Sequence, residues 1–237
     1  MDKKDSFIID EMIKLIGPLF KAHPWHGVPI GDLAPREVTA YIELIPSDTI
    51  KYELDKNTGY LKVDRPQQFS NICPLIYGLI PQTYCAEEVA DLCSKATGKE
   101  NVVGDKDPLD ICIITEKTIS YSDILVKAIP IGGFRLIDGS EADDKILSVM
   151  KEDAIYGQWK DLSEVPSSLI ERIKHYFLTY KDAPQSTKRK CEITHIYGHE
   201  EAYQVITRSQ KDYLNHYGPL AESLQHCKDV WKKNNEK

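Results

Sequence analysis

VTAYIELIPSDTIKYELDKNTGYLKVDR, residues 38–65, decides what kind of fold this chain forms. Val38 to Ile45 and Ile50 to Leu54 are rich in β-branched and aromatic side chains, which suit a pleated, half-buried surface. Asp55 to Gly59 (DKNTG) carries the Asp, Asn and Gly of a tight turn, so Tyr60 to Asp64 is expected to return as a hairpin partner. Downstream, Leu109 to Thr115, Ile124 to Pro130, Gly133 to Ile137 and Ile146 to Met150 read as further strands. Short strands at this spacing favour a closed or nearly closed barrel. Residues 82–104 interrupt them as a polar insertion, with a short helix expected in AEEVADLC (86–93).

The hydrophobic period then changes. Leu169, Ile170, Ile173, Phe177 and Leu178 recur at helical spacing in Pro166 to Tyr180, behind a proline suited to a first turn. Residues 182–190 form a polar linker, CEITHIYG (191–198) reads as a final strand, and residues 199–233 are helical in pattern with a break at Gly218-Pro219. The tail is expected to serve packing or oligomer contact. Upstream, residues 6–20 carry an amphipathic helical pattern, and HPWHGVPIG (23–31) is a Pro/Gly-rich connector. The expected division is a helical segment over 1–22, a catalytic domain over 23–182, and a linker with a helical extension over 183–237.

The bulk composition excludes several classes. The 237 residues carry a formal net charge of −7, which argues against a general affinity for nucleic acid or anionic membranes. No apolar run approaches a membrane span. The six cysteines show no C-x-x-C spacing, so zinc chelation has no support. Free thiols fit a reducing compartment, and the acidic start MDKKDSFIIDEM does not read as a secretory signal. A cytoplasmic protein is expected. Cys112, inside an apolar run, is expected to be a small buried hydrophobe.

The chemistry-bearing stretch is Gly104-Asp105-Lys106-Asp107-Pro108-Leu109-Asp110. Its three carboxylates repel one another, and a metal cation is the simple remedy; a solvated acidic turn is the bland alternative. An EF-hand starting at Asp105 fails at Leu109 and Asp110. A second acidic loop, Asp138 to Lys145 (DGSEADDK), lies between two expected strands. Lys51 and Glu53 alternate on one strand and so share a face. Arg65, whose guanidinium suits phosphate oxygens, ends the next strand and reaches the same face. A salt-bridged exposed strand would look the same. Tyr180-Lys181 closes the expected second helix.

Together these motifs resemble the family I soluble inorganic pyrophosphatases. The resemblance is carried by HPWHGVPI (23–30), YIEL (41–44), KYELDKNTGYLKVDR (51–65), YG (77–78), GDKDPLDI (104–111), the Asp138 to Lys145 loop and HYFLTYKD (175–182), over roughly residues 20–182. It implies an α+β, mainly β fold: a five-stranded OB-like closed barrel with flanking helices, to which the helical C-terminal tail is added. It also implies Mg²⁺-dependent hydrolysis of pyrophosphate to two phosphates, with several ions per site and Mn²⁺ or Zn²⁺ as substitutes.

By position, Asp105, Asp107, Asp110, Asp138 and Asp143 would bind metal, with Glu53 nearby. Lys51, Arg65, Lys145, Tyr180 and Lys181 would hold phosphate. Tyr77 and Glu43 match a site tyrosine and an active-site glutamate, and Asp107 would be the catalytic base. His23 and His26 look structural. A homo-oligomer is the expected assembly. The chain departs from the family's Y-P-C-N-Y-G pattern, reading Cys73-Pro74-Leu75-Ile76-Tyr77-Gly78, so two usually polar positions are Cys73 and Ile76.

Overall fold

β-Branched and apolar runs form most of the strands. In order they are β1 (Val38–Leu44), β2 (Ile50–Leu54), β3 (Leu61–Pro66), β4 (Ile76–Leu79), β5 (Val103–Gly104), β6 (Asp110–Ile114), β7 (Ile124–Asp138), β8 (Glu141–Ala142), β9 (Lys145–Met150) and β10 (Cys191–Gly198). The helices are α1 (Glu87–Thr97), α2 (Ser167–Thr179) and α3 (His199–Tyr217). This computed structural model describes residues 21–182 and 189–219, with Glu222 and Asp229. The helix expected over 6–20, most of the 182–190 linker and most of the tail beyond Gly218-Pro219 lie outside the described residues.

Five strands close on themselves. β1 pairs antiparallel with β4, β4 antiparallel with β6, β6 parallel with β9, β9 antiparallel with β7, and β7 antiparallel with β1. Every strand of the ring therefore has two neighbours, which removes the exposed edge an open sheet would present. β2 and β3 form a separate hairpin. Apart from the first half of β7, where Leu125 and Lys127 face solvent, the ring strands bury both faces. Ile111 and Ile113 join the layer that includes Ala202, Val205 and Ile206 of α3. Cys112 and Ile114 join the layer under Ile173, Tyr176 and Phe177 of α2. That is why DICII reads as a continuous apolar run rather than an alternating one.

The expected strands at 124–130 and 133–137 are one strand, β7. Its register against β9 shifts between Pro130 and Gly132. A proline without an N–H and the glycines beside it bend the strand without ending it. Its first half thus closes the ring with β1, and its second half pairs with β10. β4 was not legible as a strand because only four residues pair. Gly78 is required there, since a Cβ would lie 1.9 Å from the Tyr41 carbonyl oxygen of β1.

The insertion helix runs on to Thr97, and α3 supplies its N-terminal cap. Ala86, at the cap position, makes no side-chain capping bond. Instead the buried Asp212 carboxylate accepts hydrogen bonds from the N–H groups of Ala86, Glu88 and Val89, at 2.9, 3.0 and 3.1 Å. These are orphan donors of a helix start, satisfied from a distant part of the chain. Asp212→Ala is expected to destabilise the protein by about 3 kcal/mol, since it strands several buried donors at once. Urea unfolding would measure this; a change below about 0.5 kcal/mol, the range of an ordinary surface substitution, would show the cap to be unimportant.

Candidate active site

The cleft is built where strand ends, the hairpin and the end of α2 meet. On β2, alternation puts Lys51 and Glu53 on one face, and Lys51 lies opposite Arg65 of β3. Asp64 joins the two cations: Lys51 Nζ donates to its Oδ2 at 3.0 Å and the Arg65 guanidinium at 2.5 Å. Glu43 of β1 ties the ring to the hairpin by accepting the Leu54 N–H at 2.7 Å. Burial pushes the Glu43 carboxyl up to about 8, against the opposing effect of that bond.

The acidic loop is held by its backbone. Asp107 N–H donates to Asp105 Oδ1 at 2.9 Å, and the Cys85 N–H donates to the Asp107 carbonyl at 2.9 Å. Lys106 N–H returns a bond to the Cys85 carbonyl at 3.0 Å. Lys106 has φ of 63°, a left-handed conformation uncommon for a lysine, and both flanking aspartates line the cleft. Gly104 lets the loop start close against α1's approach, since a Cβ would meet the Cys85 carbonyl oxygen at 2.2 Å. The HPWH segment braces the same loop. Trp25 Nε1 donates to the Thr83 carbonyl at 2.7 Å, and the Thr83 hydroxyl accepts from Leu109 N–H at 2.9 Å. His26 bonds the Tyr213 hydroxyl at 2.8 Å, in keeping with a structural role.

Opposite the loop, parallel pairing sets Asp110 of β6 beside Lys145 of β9. The buried Lys145 ammonium lies between the Asp110 and Asp143 carboxylates. Burial works against its charge, but the two carboxylates hold its pKa well above the ordinary lysine value. The rings of Tyr77 and Phe177 lie 5.9 and 5.8 Å from the same nitrogen. Lys181, just past α2, pairs with Asp138 at the end of β7, beside Tyr180.

Every residue marked from the sequence lines this one cleft of about 310 Å³: Glu43, Lys51, Glu53, Arg65, Tyr77, Asp105, Asp107, Asp110, Asp138, Asp143, Lys145, Tyr180 and Lys181. Sequence reasoning missed Lys56, Asp64 and Glu141, which line it too. Lys56 sits in the DKNTG turn and pairs with Asp107; a charged turn residue reads as solvated until the hairpin folds over the cleft. Asp64, in VDR, had a signal that could have found it, since it stands next to Arg65 on the same hairpin. Cys73 and Ile76 do not line the cleft; both are buried in the protein interior, as is Cys112.

The donor set suits a hard cation. Carboxylates outnumber ammonium and guanidinium groups in the lining, and neither His nor Cys is present. Burial, then the Asp143 and Asp110 charges, push the Asp105 carboxyl above its ordinary range. This is the like-charge crowding that a divalent cation relieves. Among the described residues no three such groups already converge on one point; Lys145 stands between two carboxylates, and Lys56 and Lys181 each pair with one.

Comparison with known proteins gives a consistent picture. The family model described as inorganic pyrophosphatase matches residues 40–214. That span includes β10 and most of α3, which the sequence motifs left unassigned. An inorganic pyrophosphatase of Chlamydia trachomatis serovar D is 48% identical over 202 residues, covering 84% of this chain and 97% of that protein. One from Chlamydia caviae is 48% identical over 199 residues, covering 82% and 92%. Among solved structures, an inorganic pyrophosphatase from Thermus thermophilus superposes with a TM-score of 0.67 at 25% identity, over 81% of this chain and 99% of that one. One from Neisseria gonorrhoeae gives 0.65 at 27%, over 78% and 96%.

Proposed function

Because this chain belongs to the inorganic pyrophosphatase family, we propose that its cleft hydrolyses pyrophosphate to two phosphates with Mg²⁺, through a water activated at the Asp107 loop. The observation that carries this reading is the convergence, from eight strands, the loop before β6 and the end of α2, of carboxylates, cationic groups and two tyrosines on one small cleft. An acidic lining alone would repel a polyanion, and a basic lining alone would hold it without activating water. The mixture suits a metal–pyrophosphate complex.

Asp105, Asp107, Asp110, Asp138 and Asp143 would hold Mg²⁺, with Glu53 beside them, and Mn²⁺ or Zn²⁺ could take its place. Bound Mg²⁺ would supply neutralisation of the clustered charge and a lowered pKa for water. Asp107 is suited to take the water's proton. Its side chain is 37% exposed, the most accessible of the loop's carboxylates to take part in an ion pair, and its backbone is fixed through Cys85. Lys51 and Arg65, opposite each other on the hairpin, would hold one phosphoryl group through charge-assisted hydrogen bonds. Lys145, Tyr180 and Lys181 would hold the other, with Tyr77 packed beneath Lys145. Positioning and electrostatic stabilisation account for most of such catalysis. Among the described lining residues there is no Ser, Thr or Cys, which is in keeping with water as the proposed nucleophile.

The enzyme is proposed to work in the cytoplasm as a homo-oligomer. Its buried free thiols at Cys73, Cys85, Cys93, Cys112 and Cys191 suit a reducing compartment, and exposed apolar side chains such as Val63 and Phe69 suit assembly. No described helix is long and apolar enough to cross a membrane. Phosphate release from pyrophosphate in the presence of Mg²⁺ tests the reading. Binding of both without turnover would reduce the cleft to a metal-binding module.

A further inference from the structure

The sequence Asp143-Asp144-Lys145 sets two cleft residues on either side of one that faces the interior. Asp143 and Lys145 line the cleft. Asp144 is 2% exposed and joins a buried network on the other face. Its Oδ1 accepts from Arg135 Nε and from the Tyr197 hydroxyl, each at 3.0 Å. Arg135, fully buried on β7, also donates to the Leu92 carbonyl of α1 at 3.2 Å and to Glu201 of α3 at 2.9 Å. Its guanidinium lies 5.3 Å from the centre of the Tyr197 ring of β10. Asp144 Oδ2 has no hydrogen-bond partner.

A buried ion pair with an orphaned oxygen is a poor device for stability, because desolvation offsets the attraction. Its place in the register suggests a different use. β7 holds Lys145 opposite Phe134, and the Leu136 carbonyl accepts the Asp143 N–H at 3.0 Å. Arg135 lies between those two anchors and grips the residue between Asp143 and Lys145. In a strand, a slip of one residue turns every side chain to the other face. Here it would send Asp144 into the cleft and withdraw Asp143 and Lys145 together. Neither hydrophobicity nor backbone pairing distinguishes well between Asp143 and Asp144, two identical neighbours. A cation buried on the far face does.

We propose that Arg135, with Tyr197, is a register lock: by holding Asp144 on the inner face it positions Asp143 and Lys145 in the cleft, and so makes β10, α1 and α3 part of the site's support. This rests on the reading of the cleft as a pyrophosphate site.

The decisive variant replaces the pair by apolar residues, Arg135→Met with Asp144→Leu. Such a swap commonly keeps or raises stability, so a purely structural pair predicts a normal Tm and normal turnover. The register lock predicts a normal Tm with kcat lowered about 10- to 100-fold, the usual cost of losing the support behind a metal-site ligand. Mn²⁺ affinity, followed by electron paramagnetic resonance without substrate, should fall with it. Tyr197→Phe, which removes one hydroxyl, should move both quantities in the same direction by a few-fold, and it decides the matter if the double variant does not fold. Wild-type turnover and Mn²⁺ binding in both variants would overturn the lock. An inactive wild-type protein in the same assay would instead overturn the reading of the cleft, and the lock with it.

Discussion

Excess chelator is expected to lower phosphate release at least about 10³-fold, and Mg²⁺ to restore it, because the cleft cannot manage its own charge. Carboxylates exceed cations in the lining before any substrate arrives. Two like charges 4 Å apart cost about 4 kcal/mol at the effective dielectric of a protein surface. Burial first, and then the charges of Asp143 and Asp110, raise the pKa of Asp105. Pyrophosphate would add further negative charge to the same volume, so without divalent cations both its binding and the ionisation of water are opposed. Ca²⁺ should restore little activity, because its longer and looser coordination serves the carboxylates but misplaces the water. Mn²⁺ should restore more. Chelation should leave the ring folded, since its core is apolar and its strands are held by their own pairing. Circular dichroism beside the activity assay separates the two effects. Full turnover in excess chelator would end the mechanism proposed for the Asp cluster.

Asp107→Asn should lower kcat by about 10²–10⁴, the usual cost of losing a general base. The substitution keeps the shape of the side chain, and the backbone bonds to Cys85 do not depend on it. It also removes one negative charge, so Mg²⁺ affinity should weaken. The two effects separate at saturating Mg²⁺, where a pure binding defect is rescued. A deficit of at least about tenfold should remain there, a barrier increase near 1.4 kcal/mol. The residual rate should climb towards alkaline pH, where hydroxide forms without the base. Lys56, paired with Asp107, loses its charged partner in this variant, so a small change in substrate KM is expected alongside. If saturating Mg²⁺ returns kcat to the wild-type value at neutral pH, Asp107 serves only as a metal ligand and the base lies elsewhere.

The legible parts of this protein are those in which local chemistry and local structure agree. The β2–β3 hairpin, the apolar run of β6 and the amphipathic α2 were readable to within a residue or two, because β-branching, turn residues and helical spacing act over short range. Most of the cleft residues were readable through the spaced motifs that carry the family resemblance; taken locally, repelling acids at a strand end and cations on an alternating strand also fit a solvated turn and a salt-bridged strand. β7 was divided in the reading because Pro130 and two glycines look like an interruption, and only pairing on both sides shows that the strand continues through them. Lys56 reads as a solvated turn residue until the hairpin folds over the cleft. Asp212 gave no sign that it caps a helix more than a hundred residues away.

Asp143-Asp144-Lys145 marks the boundary between the two kinds of information. Composition and spacing pointed to clustered carboxylates beside cationic residues on a set of short strands, because charge repulsion, hydrophobic period and turn chemistry are properties of neighbouring residues, and the motifs' resemblance to a family added the rest. The family resemblance picked out Asp143, but why the first of two adjacent aspartates enters the cleft is answered only by tertiary structure. The two have the same side chain and the same propensity, and they differ only in what meets them across the strand: open cleft and the Lys145 ammonium for one, the buried guanidinium of Arg135 for the other.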